Sequence, residues 1–123
     1  MAGSHEDLEA WRQGIELVDS VYDLCKSLPT DERYGLISQL QRAAVSVPAN
    51  IAEGCGREST RDLLRHLAIA QGSLAEVRTL LVIIARRGFA PSPALVAADD
   101  LSARGARLLI GLRRSLRRKL DHD

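Results

Sequence analysis

The sequence predicts an all-α fold, an antiparallel up-down-up-down four-helix bundle with a proline-kinked second helix. Three observations carry that expectation. Apolar residues recur at steps of three and four in four separate segments, the spacing that lines one face of a helix. The composition favours helix formers, and the aromatics amount to one Trp, two Tyr and one Phe in 123 residues. The connections are short, about four to eight residues, so consecutive helices should lie as antiparallel neighbours.

In the first helix Leu8, Trp11, Ile15, Val18, Tyr22 and Cys25 form one apolar stripe. Leu17, Val21, Leu24 and Leu28 form a second beside it. Together they make a face wider than one neighbour covers, so the helix is either central in its bundle or meets another subunit. Leu28-Pro29 ends it, because a residue before proline is driven out of the α region. A separate turn at Thr30–Arg33 leads towards the second helix, whose start Gly35 leaves open.

The second helix carries Leu36, Leu40, Ala43, Val47 and Ile51 on one stripe, with Pro48 inside it. Proline offers no N–H, and its ring crowds the carbonyl four residues back, so a kink is expected there. The carbonyl of Ala44 loses its usual donor, and Asn50 is the side chain placed to serve it. Glu53 is expected to pair with an arginine of a neighbouring helix, and Gly54 to stop the segment. Arg42, Pro48, Asn50, Glu53 and Gly54 therefore form a structural or interface motif, bracing the kink or a subunit contact, with a ligand or RNA role as the alternative.

Ser59 is placed to cap the third helix, with Asp62 answering it in a capping box. Leu63, Leu67, Ala70, Leu74, Val77, Leu81 and Ile84 hold its apolar spacing, and Arg86, Arg87 and Gly88 end it. Ser92 as N-cap and Pro93 at the first helical position open the fourth, with Leu101, Leu108, Leu112, Leu116 and Leu120 as its seam. One domain is expected over residues 6–120. Residues 1–5 read as an expression-tag remnant or tail, and 121–123 as a tail.

Three pieces of wording carry a family likeness: Glu6–Trp11 (EDLEAW), Leu28–Gly35 (LPTDERYG) and Tyr34–Gly56 (YGLISQLQRAAVSVPANIAEGCG). They resemble the bacterial four-helix-bundle proteins encoded by intervening sequences of 23S ribosomal RNA genes. That family is in turn distantly similar to the accessory variability proteins of diversity-generating retroelements. The resemblance runs from about Glu6 to Gly88 and implies the bundle; it also implies assembly into homopentameric rings.

The formal net charge of +1 hides a division. Residues 1–100 carry ten Lys and Arg against fourteen Asp and Glu, whereas residues 101–120 carry seven basic residues and no acid. The seven are Arg104, Arg107, Arg113, Arg114, Arg117, Arg118 and Lys119. On a helix, 104, 107, 114 and 118 fall nearly on one line, with 113 and 117 alongside. Such a stripe, roughly 20 Å long at 1.5 Å per residue, can follow several phosphates. The competing reading pairs these arginines with Glu9, Glu16, Asp19 and Asp23 of the first helix, or leaves them solvated at a favourable dipole end. Phosphate contacts carry no sequence information, and aromatics for base stacking are scarce; Tyr34 and Phe89 are the weak candidates.

Other chemistry is poorly supported. Glu58, Asp62 and His66 share a helix face, but a helical metal site wants more imidazole or thiolate, so no metal and no cofactor are expected. Ser38 and Ser46 have no His or Asp partner in sequence for nucleophilic catalysis. Gly54-Cys55-Gly56 is too short for a phosphate loop. Cys25 and Cys55 read as free thiols, Cys55 the more exposed. No apolar run approaches the roughly 20 residues of a membrane span, and no signal peptide is evident. The expectation is a cytoplasmic, non-enzymatic homo-oligomer that binds nucleic acid, RNA ahead of DNA, through its last helix. The alternative is a scaffold for a protein partner such as a reverse transcriptase.

Overall fold

The structure is a computed structural model that describes His5 and residues 8–122. Four helices follow in order: α1 Glu9–Cys25, α2 Ser38–Cys55, α3 Thr60–Arg87 and α4 Ser92–Asp121. Each packs against its neighbours in the chain, and α4 closes the ring against α1, which is the up-down-up-down arrangement. The described residues include no strand. The expectation for residues 1–4 lies outside the described residues. Asp121, expected in a tail, is the last residue of α4.

Of the two stripes on α1, the second enters the core. Leu17, Val21 and Leu24 are fully buried, whereas Ile15 and Tyr22 are 38% and 45% exposed. The first stripe is split: Cys25 is in the core, Leu8, Trp11 and Val18 pack at its edge, and Ile15 and Tyr22 face outward. The connection to α2 is longer than expected because it folds locally. A 3-10 turn at Thr30–Glu32 leads into a wider π-type turn at Arg33–Ile37. The Glu32 carboxylate accepts the Leu36 N–H at 3.3 Å. Regular helical geometry breaks at Gly35, with φ −109° and ψ −108°.

The helix α2 then runs unbroken through Pro48. Its buried line is Leu40, Ala43, Ala44, Val47, Pro48 and Ile51, matching the predicted stripe. Pro48 is tolerated where α1 comes closest: a Cβ on Gly14 would lie 3.3 Å from the proline ring. Glycine there makes room for the ring against the α1 backbone.

The expected stripe of α3 is buried along its whole length. Ser59 caps it, its hydroxyl accepting the Asp62 N–H at 3.1 Å. At the far end Gly88 is left-handed at φ 69°. Phe89 N–H then reaches the Ile84 carbonyl at 3.1 Å, a Schellman termination. By length and composition alone α3 would suit a membrane span. In the bundle Leu63, Leu67, Leu74, Val77 and Ile84 are core residues at 6% exposure or less. Each contributes roughly 1.5–3 kcal/mol by leaving water.

The seam of α4 differs from the predicted one. Ala98, Ser102, Gly105 and Leu109 are its buried residues, and the leucines at 101, 108, 112, 116 and 120 are half-buried flanks. The start also shifts by one residue, with Pro91 as N-cap and Pro93 inside the first turn. Small residues form the seam because α1 inserts Gln13 there. Its side chain is 3% exposed, and Nε2 donates to the Leu101 carbonyl. A Cβ on Gly105 would lie 2.7 Å from Gln13 Oε1. Apolar periodicity cannot reveal a buried glutamine opposite a glycine.

Both cysteines are free, Cys25 buried and Cys55 half-buried. Burial pushes the thiol pKa of each upwards, which keeps them protonated and unreactive near neutrality.

Candidate nucleic-acid interface

The seven basic residues of α4 divide into three groups. Arg104 meets Glu9 of α1 at 3.1 Å, an ion pair in which both side chains are more than half exposed. Arg113 is half-buried and donates through Nη1 to Gln71 of α3, while its Nε is buried with no partner. Arg107, Arg114, Arg117, Arg118 and Lys119 are exposed, and among the described residues none of them forms an ion pair. The competing expectation of pairing with α1 thus holds at one position. Among the described residues Glu16 and Asp19 remain exposed without a basic partner, and Asp23 pairs locally with Lys26 at 3.3 Å.

The reason lies in helix lengths. Gln13 of α1 sits opposite Gly105 of α4. The helix α1 begins only a few residues before Gln13, whereas α4 runs sixteen residues beyond Gly105, to Asp121. Its last turns therefore run past the start of α1 and lie beside α3, where Arg113 reaches Gln71. Arg113 and Arg117 turn towards α3, where Arg61 and Arg65 line the same groove. The latter two escape a reading of one segment at a time, since they are scattered among acids in sequence.

The motif in α2 is polar bracing with a different wiring from the expected one. Asn50 does not reach the Ala44 carbonyl; its Nδ2 donates to the carbonyl and the hydroxyl of Ser46, each at 2.9 Å. Its Oδ1 faces Nδ1 of the buried His66 at 3.2 Å. Arg65 approaches the other ring nitrogen at 3.4 Å. A guanidinium only donates, so Nε2 accepts and Nδ1 carries the proton given to Asn50. Ser73 donates to the Ser46 hydroxyl at 2.9 Å. The network ties α2 to α3 and uses Ser46 and His66, neither of which the sequence marks for this role.

Glu53 pairs with Arg57 four residues on, at 3.2 Å, and not with another helix. The dipole at the helix end does not select that partner; simple i,i+4 proximity does. Arg42 is exposed beside a groove of about 570 Å³ lined by Tyr22, Tyr34 and Arg33. Tyr22, expected in the core, thus joins Tyr34 (89% exposed) on the surface. Gly54 is buried where α2 crosses α3, and a Cβ there would lie 2.9 Å from the His66 Cβ. Glu58, Asp62 and His66 do not converge, and among the described residues no group of three His, Cys, Asp or Glu is arranged for a metal.

The family model for the 23S rRNA-intervening sequence protein matches residues 6–111. The chain belongs to this family. The match extends the likeness read from the wording by some twenty residues, through the first two thirds of α4. It ends before Arg113, so family membership speaks for the bundle and not for the arginine-rich last turns. Among solved structures, the chain is similar to a protein of unknown function from the S23 ribosomal protein family of Bacteroides thetaiotaomicron VPI-5482. The identity is 22% and the TM-score 0.78, covering 85% of this chain and 95% of that one. At that identity the likeness is one of fold. Among curated proteins none matches the sequence. This member of the family is thus a four-helix bundle with a basic end to its last helix.

Proposed function

We propose that the protein is a non-enzymatic, cytoplasmic homo-oligomer, a pentamer, that binds nucleic acid electrostatically through α4. One observation carries the reading: Arg107, Arg114, Arg117, Arg118 and Lys119 are exposed and have no carboxylate partner among the described residues. Cations left free in this way are available to replace the counterions of a polyanion. In a ring, several copies of the same basic helix would sum their fields. The family's tie to 23S rRNA intervening sequences puts RNA ahead of DNA as the ligand to test.

A second reading, a scaffold for a protein partner, is supported by outward apolar residues. Val82 and Val96 are 56% and 57% exposed beside one shallow groove, and Tyr34 stands free at the other connection. Salt separates the two. Retention of a structured RNA at about 50 mM salt should be lost by about 200 mM if counterion release drives binding. Binding of equal strength at both concentrations would contradict the electrostatic reading and favour apolar docking.

A further inference from the structure

We infer that the cleft between the start of α3 and the end of α4 is a phosphoryl-anion site, in which Arg61 and Arg65 act together with Arg113 and Arg117. The cleft has a volume of about 490 Å³, in the range of small-ligand sites. Four arginines line it against one acidic residue, Asp121. A second hollow of about 340 Å³ shares Arg113, Arg117 and Asp121 and adds Arg114 and Arg118.

Stability of the free chain does not account for this arrangement. Farther along the same pair of helices, α3 and α4 face each other with opposite charges, Arg78 meeting Asp99 at 3.6 Å. At the cleft, cation faces cation. Arg61 lies in the first turn of α3, where the helix dipole disfavours positive charge. Among the described residues Asp121 forms no ion pair with the arginines around it.

Two of the four arginines are also held in place. Gln71 fixes Arg113 from one side and leaves its Nε buried without a partner. Arg65 is tethered to His66, which Asn50 holds in turn. Leu64, Ala68 and Leu120 complete the lining. Arginine's planar fork suits the tetrahedral oxygens of a phosphoryl group better than a point charge would.

The inference rests on the electrostatic reading of α4 only for the source of the phosphoryl group, which is either a polynucleotide or a small phosphorylated molecule. The test is a melting titration of the full chain with inorganic pyrophosphate at constant ionic strength, beside an RNA retention assay. Saturable stabilisation is expected. Arg61→Gln with Arg65→Gln should weaken pyrophosphate binding by about tenfold or more. Asp121→Asn, which removes the one opposing charge, should tighten it; a folding defect would not produce that opposite sign. Stabilisation that does not saturate, or that persists unchanged in the double variant, overturns the site. Release of RNA by pyrophosphate identifies a polynucleotide as the source. Pyrophosphate binding in a protein that retains no RNA upholds the cleft and removes the nucleic-acid reading, leaving a small phosphorylated ligand.

Discussion

Joint replacement of Arg107, Arg113, Arg114, Arg117 and Arg118 by Gln is expected to abolish RNA retention without changing the oligomer's mass. Five charges fewer takes the formal charge of the chain from +1 to −4. The affinity should fall steeply, because each neutralised phosphate releases counterions and makes its own contribution to the salt dependence. With five cations removed from the RNA backbone, the slope of log K against log salt should shrink by about 3 to 5. Four of the five side chains are exposed and unpaired among the described residues, so their replacement should move stability by no more than about 0.5 kcal/mol each. Arg113 is the exception, since it is half-buried on Gln71. A variant that keeps Arg113 and replaces the other four therefore separates loss of charge from loss of packing. Gel shifts across salt, with mass in solution and melting as controls, check the expectation. Full retention by a folded variant would show that the site is assigned to the wrong helix.

The largest effect on stability is expected at Gly54. Its side of α2 lies so close to α3 that an added Cβ would stand 2.9 Å from the His66 Cβ and 3.0 Å from Leu63 Cδ1. Neither helix can yield at one point without disturbing the rest. Leu63 and His66 are buried, and His66 is engaged with Asn50. Gly54→Ala should cost about 1–3 kcal/mol by overpacking. For a chain of this size that lowers the melting temperature by roughly 5–10 °C. Glycines with free space behave oppositely. A Cβ on Gly72 or Gly111 would meet nothing within 4 Å, and both lie inside exposed helix faces. Alanine at either should stabilise by about 0.5–1 kcal/mol through helix propensity alone. Thermal melts of the three single variants test the contrast; equal effects at all three would refute the close approach.

The bundle is legible in the sequence because apolar periodicity and caps are local signals. Ser59, Gly88 and the stripe of α3 all lie where the sequence puts them, since each depends on residues within one or two turns. What escapes depends on a facing helix. The small-residue seam of α4 makes sense only once Gln13 is seen across from Gly105. Asn50 is recognisable as bracing, but its partners Ser46 and His66 need the α2–α3 crossing to be known. The same holds for the candidate site. A run of arginines within one helix is visible in sequence, and their freedom from carboxylates follows from the offset of α1 and α4. Arg61 and Arg65 join Arg113 and Arg117 only across two helices, a grouping that no linear spacing announces.

If RNA binds as proposed, it lies against the exposed guanidinium groups of the second half of α4. Phenylglyoxal labelling of the arginines, with and without a structured RNA, reads this residue by residue when the peptides are analysed by mass spectrometry. Protection is expected at Arg107, Arg114, Arg117 and Arg118. Arg86 and Arg87, at the opposite end of α3, should label equally in both states. RNA that binds while Arg107, Arg114, Arg117 and Arg118 label as fast as in the free protein would contradict the account.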